Sequence, residues 1–572
     1  MKIARMLVET LIAAGVDQVH GLVGDSANAI ANEIREHPSI KWLHYRHEEA
    51  AAFAAGAQAQ LTGKLAVCIG SCGPGNMHLI NGLYDAHRSY APVLAIATHI
   101  PSTEIGTGYF QETDPKQLFK DCSHYCELIS SGYQMPRVLQ IAMQHAIGRG
   151  GVAVIVLSGD VALEEVEEAD LRHHLLTQRP SIRPSDDEIV TLTRLINEHN
   201  RVTVFCGSGC RYAHDQVVEL CHKIKAPTVY ALRGKEYVEF DNPYHVGLTG
   251  LIGYRSGYIA MERSDLVLLL GTDFPYKDFY PKNATLVQLD IRAENLGRRA
   301  AIHLGLVGDV RETLEVLLPR VNEKDDASHL QHCLHVYQNI RSKLDAKAAP
   351  DRDSSLLYPE YVAAELSRQA ADDAIFTCDV GTPTVWAARY LQMKRGRRLL
   401  GSFNHGSMAN AMPQAIGAQF AYPGRQVISL SGDGGFSMLM GDLLTIRQYK
   451  LPVKIVVFNN GTLGFVALEM KVQGYPPFVT DLDNPDFAAM AEAIGIRGIA
   501  VRTPDQLPAA IAEALAHDGP VLLDMYTNPG ELSLPPVINL KEAKGFSLYM
   551  WRQILDGEIG EVVETVKTNF LK

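Results

Sequence analysis

Short apolar runs bounded by glycine recur along the whole of this chain, with helical stretches between them. The first third carries Lys64–Gly70, Pro92–Thr98 and Val152–Leu157. The middle carries Val202–Gly207, Thr228–Leu232, Asp265–Gly271 and Leu286–Ile291, and the last third Ile375–Gly381, Gln426–Leu430, Lys454–Asn459 and Val521–Tyr526. A strand with one wet face alternates apolar and polar residues. Runs this continuous have no wet face and belong to parallel sheets covered by helices on both sides. The expected class is therefore α/β, with doubly wound parallel-sheet domains repeated three times. A chain of 572 residues exceeds what one core supports. Polar, proline-bearing stretches at Gln178–Asp187 and from about Asn322 to Pro359 divide it. The expected organisation is 1–180, 181–335 and 336–530. After about Pro529 the rhythm stops, and Pro535-Pro536 opens a tail, 531–572.

Charge and composition exclude several classes. The net charge of −12 leaves no basic face for phosphate backbones, so nucleic acid is not an expected partner. Glu9 and Asp17 interrupt the apolar residues of Met1–Gly21, which reads as an amphipathic helix entering a strand rather than a signal peptide. No stretch approaches the roughly 18 apolar residues of a membrane span, and the expected location is cytoplasmic. Three cysteine pairs, Cys68/Cys72, Cys122/Cys126 and Cys206/Cys210, have a spacing that differs from zinc sites, and all nine cysteines are read as reduced. There is no G-x-S-x-G elbow, Walker A loop or H-E-x-x-H.

The motif with the most chemistry is Gly432-Asp433-Gly434, then 24 residues, then Asn459-Asn460. Both ends sit at the tips of buried strands, so two parallel strands deliver an Asp and an Asn to one sheet edge. Mg²⁺ takes hard oxygen ligands, usually a carboxylate together with phosphate oxygens. Asp433 offers the charged oxygen and Asn460 a neutral one. Gly434 and Gly435 let the backbone approach a diphosphate, and a helix starting near Phe436 would aim amides at it. Either piece alone is an ordinary turn or cap; the two at this spacing point to a metal-diphosphate cofactor.

With this fingerprint the chain resembles the thiamine-diphosphate-dependent pyruvate oxidase and acetohydroxyacid synthase family. The resemblance implies a pyrimidine-binding domain, a central FAD domain and a diphosphate-binding domain. It implies Thr462 as the third Mg²⁺ ligand, through its carbonyl, and a loop Gly461–Phe465, including Leu463 and Gly464, that closes over the diphosphate. Arg46-His47-Glu48-Glu49 precedes an alanine-rich helix, Ala50–Gln60. Acids there complement a helix dipole, but the family places its cofactor-activating Glu in such a run, which maps to Glu48, with Glu49 the spare. A buried carboxyl at that place hydrogen-bonds the aminopyrimidine ring and helps move the proton off the thiazolium. Met408, in Gly406-Ser407-Met408, matches the residue that props the cofactor into its bent shape. In this family Glu48 and the Asp433 site come from different subunits, implying at least a dimer and usually a homotetramer.

The middle domain carries Cys206-Gly207-Ser208-Gly209-Cys210, a poor dinucleotide fingerprint with Tyr212 where a third glycine is wanted. Resemblance to the oxidases places FAD contacts instead at Leu251, Ile252, Gly253 and Tyr254, at Phe274-Pro275-Tyr276-Lys277-Asp278, and at Asp290 and Arg292. Synthases of the family show Met at the Phe465 position and Trp at the Glu469 position. Phe465, Glu469 and also His78 match the oxidases, where they line the pocket around the hydroxyethyl intermediate.

The tail separates kinds of oxidase. Met550, Trp551, Ile554, Leu555, Ile559, Val562, Val563, Val566, Phe570 and Leu571 recur at helical spacing among acidic residues. Periodicity alone favours a helix on its own core, and an acidic polar face is unusual for a membrane helix. Ala543–Met550 and Lys567-Thr568-Asn569 nevertheless resemble the lipid-binding tail of the quinone-reducing oxidases. The expectation is an enzyme that oxidatively decarboxylates pyruvate to acetate and CO₂ with thiamine diphosphate, Mg²⁺ and FAD. It would pass electrons to ubiquinone at a phospholipid surface, peripherally on the inner face of the cell membrane. The rivals are a phosphate- and oxygen-dependent oxidase making acetyl phosphate, an acetolactate-forming carboligase, and a non-catalytic scaffold.

Overall fold

The structure is a computed structural model, and it describes residues 1–167, 181–350 and 355–531. The boundary expected at 180/181 and the expected tail beyond residue 531 lie outside the described residues.

Three six-stranded sheets follow one another along the chain, every strand pair parallel. The first holds β1 (Gln18–Gly21), β2 (Lys41–His44), β3 (Ala66–Gly70), β4 (Val93–His99), β5 (Tyr125–Ile129) and β6 (Val152–Ser158), in the order β2-β1-β3-β4-β6-β5. The second holds β7 (Val202–Cys206), β8 (Thr228–Tyr230), β9 (His245–Leu248), β10 (Leu266–Leu270), β11 (Thr285–Asp290) and β12 (Leu304–Val307), in the order β12-β11-β10-β7-β8-β9. The third holds β13 (Ile375–Cys378), β14 (Arg398–Gly401), β15 (Val427–Gly432), β16 (Lys454–Asn459), β17 (Arg497–Val501) and β18 (Val521–Tyr526), in the order β14-β13-β15-β16-β18-β17.

The first and third sheets thus repeat one topology, whereas the second, read from its other edge, has the 3-2-1-4-5-6 order of dinucleotide-binding sheets. The reversal of winding falls between β1 and β3, between β7 and β10, and between β13 and β15. Ligands of such sheets bind at the carboxyl ends of the strands there. Core strands such as β4, β6 and β7 are buried along their whole length, as both-face coverage by helices requires. The helix Ser328–Lys347 spans the boundary expected at 335/336 and lies against the helix Arg255–Glu262 and β9 of the central domain.

The outer domains are fastened together and to the central one. The helix Glu48–Thr62 crosses Ala411–Ala421 so closely that a Cβ on Gly417 would strike the Ala54 backbone. From the central domain, Glu236 accepts from Arg398 Nε at 2.7 Å and from the Leu399 amide at 3.0 Å, holding edge strand β14.

One buried polar network in the first domain has a pH consequence. His20 on β1 is enclosed, with Nδ1 2.8 Å from Tyr45 Oη and Nε2 2.6 Å from Gln58 Oε1. Burial lowers its pKa to about 4, against the hydrogen bond its Nε2–H donates to Gln58 Oε1, which works the other way. The unfolded chain therefore binds a proton near pH 6.5 that the folded chain refuses until about pH 4. Stability from this site is full above pH 6.5 and is lost as pH falls through that window, by roughly 3 kcal/mol in all. Urea unfolding of wild type and His20→Gln at pH 7 and pH 4.5 checks this. The wild type should lose more stability between the two pH values than the variant does.

Candidate active site

The carboxyl ends of β15 and β16 deliver Asp433 and Asn459-Asn460 side by side. Residues alternate in direction along a strand, and the two asparagines divide accordingly. Asn459 is buried, and its Nδ2 donates to Asp524 Oδ1 at 2.9 Å. Asn460 faces the loop, where its Oδ1 accepts the Thr462 amide at 3.2 Å. The helix expected near Phe436 begins at Asp433 itself, with Gly432 extended as its cap. Its first amides are consequently closer to Asp433 than expected, and Gly434 N–H donates to Asp433 Oδ1 at 2.9 Å.

The loop after Asn460 is tied down rather than free. Leu463 N–H donates to Thr480 O at 2.8 Å and Leu482 N–H to Gly461 O at 2.8 Å, and the helix Gly464–Val472 follows. Thr462 O accepts Gly464 N–H at 2.8 Å. Asp433 Oδ1 accepts the Gly434 amide, Asn460 Oδ1 that of Thr462 and Thr462 O that of Gly464, and each oxygen has a second lone pair. That donor set, one charged and two neutral hard oxygens, fits Mg²⁺.

Gly434 lies in a cradle. A Cβ there would meet Leu463 Cδ2 at 2.6 Å, Leu482 Cδ1 at 3.3 Å and Met408 Cε at 3.4 Å. The structure thus brings Gly434, Leu463 and Met408 together and adds Leu482. Next to it, a Cβ on Gly435 would strike Asp379 Oδ2. Gly406, with φ of +84°, turns the chain ahead of Ser407, whose hydroxyl donates to Met408 O at 2.8 Å. Asp433 is 3 % exposed, and burial raises its pKa against the amides of Gly434 and Gly461 and the side chain of Asn484.

Two residues here carry no motif and escaped sequence reasoning. Asp379, at the end of β13, accepts the Ala411 amide at 2.9 Å, and burial pushes it up to about 7. Asn484 donates to Asp433 Oδ2 at 2.9 Å and to Asn459 Oδ1 at 3.1 Å. The signal that could have found Asp379 is its place at a strand end beside the winding reversal.

Glu48 opens the helix Glu48–Thr62 as its first residue, with His47 as cap accepting the Glu49 amide. It is 4 % exposed, and its Oε2 lies 2.9 Å from His78 Nδ1. A Cβ on Gly75 would come within 2.9 Å of its Oε1, so this side chain stands at the tip of β3. His47 stacks on His78 with ring centres 4.3 Å apart. His78 and Glu48 were expected in one site, and they share a hydrogen bond. Glu49 instead accepts Asn81 Nδ2 at 2.7 Å, and the same amide group reaches Ser407 Oγ at 2.9 Å. Among the described residues no hydrogen bond joins Glu48 to Asp433, Asn460 or Thr462 of its own chain.

In the central domain the segments expected to hold a flavin converge in part. Gly250, with φ of +103°, admits the Phe274 ring, which meets Tyr276 at 5.3 Å and 73°. Leu251 and Tyr276 are exposed beside it, as are Pro275, Lys277 and Asp278, while Ile252 is half-buried and Gly253 buried. Ile252 and Phe465 both pack on the core of the third domain. The Tyr276 ring is exposed while its hydroxyl is raised by partial desolvation and by the nearby Glu469 carboxylate across the domain seam.

Two residues expected to contact the flavin also make contacts within the protein. Tyr254 is buried against Tyr337 and donates to Arg389 O at 3.1 Å. Arg292 stacks on Tyr90 at 3.6 Å and donates to Arg149 O at 2.9 Å. Asp290 is buried, accepts the Arg292 amide at 2.9 Å and is raised by burial. Gly207 and Gly209 serve backbone packing, since a Cβ on Gly209 would lie 2.5 Å from Gly271 Cα. Leu251 and Tyr276 form an exposed shelf at the carboxyl ends of β9 and β10, backed by the buried Phe274 ring, and this surface fits a flavin.

Comparison with known proteins bears on all three domains. Three family profiles of the thiamine pyrophosphate enzymes match: the N-terminal TPP binding domain over residues 1–118, the central domain over 189–317 and the C-terminal TPP binding domain over 379–525. The Bacillus subtilis protein YdaP, provisionally described as thiamine pyrophosphate-containing, is 37% identical over 563 residues, 98% of each chain. Pyruvate oxidase of Lactiplantibacillus plantarum is 31% identical over 538 residues, 92% of this chain and 89% of its own. The large subunit of acetolactate synthase isozyme 2 of Escherichia coli is 30% identical over 530 residues, 91% of this chain and 94% of its own.

Proposed function

The chain belongs to the thiamine pyrophosphate enzyme family, and from that premise we propose that it is a pyruvate oxidase using Mg²⁺ and FAD and delivering electrons to a quinone. The observation that carries the reading is the packing of Ile252, beside Leu251, and of Phe465 on one core of the third domain, with the Glu469 carboxylate near enough to Tyr276 to raise its hydroxyl. It sets the shelf fitted to a flavin beside the helix whose Phe465 and Glu469 resemble the oxidases. Flavin adjacency by itself would also suit a carboligase that holds a flavin without redox use, so Phe465 and Glu469 are what favour the oxidase.

In this reading Asp433, Asn460 and Thr462 hold Mg²⁺, Gly434 and Gly435 admit the diphosphate, and Met408 with Leu463 and Leu482 props the cofactor. When bound, thiamine diphosphate supplies the electron sink that lets pyruvate lose CO₂. Glu48 holds and passes a proton at its carboxyl oxygens, and His78 Nδ1, 2.9 Å away, fixes the orientation of that carboxyl. Phe465 excludes water and, with Glu469, positions the two-carbon fragment toward the flavin shelf. Phe465→Ala is expected to slow flavin reduction by pyruvate by roughly 10–100-fold, measured by stopped-flow absorbance, with little change in thiamine diphosphate affinity.

Assembly as a homotetramer belongs to the same proposal. Glu48 reaches no Asp433-site group of its own chain, and apolar side chains are exposed on both half-sites, Met77 at 51 % and Met438 at 58 %. A second copy would cover them and complete the site. The membrane partner rests on the apolar stripe of 531–572.

The test is product analysis with pyruvate, a short-chain quinone and phospholipid vesicles. The reading expects acetate and reduced quinone, formed faster with vesicles. Acetyl phosphate appearing only with oxygen and phosphate would make it the other kind of oxidase. Acetolactate with no quinone reduced would make it a carboligase.

A further inference from the structure

Asp433 is held by more than its own helix. Its Oδ1 accepts Gly434 N–H at 2.9 Å, and its Oδ2 accepts both Gly461 N–H at 2.8 Å and Asn484 Nδ2 at 2.9 Å. A carboxylate offers about four lone-pair positions, two on each oxygen. Both positions on Oδ2 are taken by close donors, whereas Oδ1 has one close donor and a position to offer.

The hydrogen bond that closes Oδ2 is itself anchored. The same Asn484 amide nitrogen donates to Asn459 Oδ1 at 3.1 Å, Asn459 Nδ2 donates to Asp524 Oδ1 at 2.9 Å, and Asp524 Oδ2 accepts the Phe487 amide at 3.1 Å. This chain joins the end of β15, the end of β16, the middle of β18 and the segment leading into the helix Phe487–Ala493. Asn459 and Asp524 are buried, so the amide of Asn484 has a fixed place rather than a choice of partners.

We propose that Asn484 is a positioning residue for the divalent cation: by occupying Oδ2 it makes Asp433 a one-oxygen ligand through Oδ1. The inference rests on the reading of this site as the metal-diphosphate site. Its chemical consequence is ion selectivity. Mg²⁺ demands near-ideal octahedral geometry, which a carboxylate binding through both oxygens distorts, whereas Ca²⁺ accepts one or two oxygens from a carboxylate at longer distances. With Asn484 in place the site is set for Mg²⁺. Without it, Oδ2 is released and Asp433 can turn both oxygens to the ion. Groups that orient a metal ligand in this way typically change affinity by 10–100-fold when removed.

The experiment measures Mg²⁺ and Ca²⁺ dissociation constants by calorimetry on the full chain with thiamine diphosphate present, for wild type, Asn484→Ala and Asn484→Ser. The second variant stands in should the first fail to fold. The expected result is a Mg²⁺ affinity lowered about 10–100-fold and a Ca²⁺ affinity lowered much less, so that the preference for Mg²⁺ shrinks. A folded variant whose two affinities stay within about twofold of wild type, or fall by the same factor, overturns the role of Asn484. A wild type that binds neither ion overturns the cofactor reading beneath it as well.

Discussion

Glu48→Gln is expected to lower pyruvate turnover by 10²–10⁴-fold, the contribution of a positioned proton-transfer group. Glutamine has nearly the same shape and still meets His78, but its amide does not exchange a proton as a carboxyl does. The competing explanation of Glu48 is electrostatic: an acid in the first turn of Glu48–Thr62 complements the helix dipole. That role is worth about 0.3–1 kcal/mol of stability and nothing in catalysis. The two are separable because Glu49 occupies the same helical turn. Glu49→Gln removes a charge at an equivalent distance from the helix end, yet Glu49 is engaged with Asn81. It should cost less than about tenfold in turnover. Exchange of the thiazolium C2 proton for deuterium, followed by NMR, reads the step directly and should slow only in the Glu48 variant.

Asp433→Asn is expected to release the divalent cation. The amide keeps one oxygen, and at the Oδ2 position both its lone pairs are claimed by the Gly461 amide and Asn484. Its NH₂ then faces the Gly434 amide, donor against donor, where the ion should sit. An affinity loss of roughly a hundredfold or more follows from the loss of the only charged ligand. Thermal unfolding reads this without any turnover. With Mg²⁺ and thiamine diphosphate at about 100 times the wild-type dissociation constant, linkage stabilises the wild type by about 2.7 kcal/mol. A variant binding about a hundredfold more weakly gains only about 0.4 kcal/mol under the same conditions. Equal shifts in the two proteins would remove Asp433 from the metal site.

What the sequence made legible follows from burial. Every strand with neighbours on both sides announced itself by an unbroken apolar run or, for β1, by the helix that enters it. Apart from β1, the strands without such a run are β2, β5, β9, β12, β14 and β17, and each of these lies at the edge of its sheet. β2, β5, β12 and β17 are partly wet, so their residues are mixed: β5 reads Tyr-Cys-Glu-Leu-Ile and β17 Arg-Gly-Ile-Ala-Val. β9 and β14 are buried after their first residue, but at four residues each they are too short to make a run.

The site divides along a similar line. Asp433, Asn460 and Thr462 are close in sequence to strand ends, and the fingerprint names them. Asn484 touches Asp433 from 51 residues away, through a loop that has no periodicity and no motif. Asp379 is an Asp at the end of an apolar run, indistinguishable by sequence from a turn. The glycine pair Gly207 and Gly209 has the opposite character, since it looks like a phosphate loop and serves contact with Gly271. Tyr254 and Arg292 carry partners that no motif announces, since each donates to a backbone carbonyl across a domain seam.

The central claim is that carbon chemistry at the Asp433 site and electron transfer on the central domain are one reaction. The direct measurement is the flavin absorbance of the protein reconstituted with thiamine diphosphate, Mg²⁺ and FAD after pyruvate is added without oxygen. The account predicts that the flavin bleaches and that a short-chain quinone restores its colour. Pyruvate consumed while the flavin stays oxidised would contradict it.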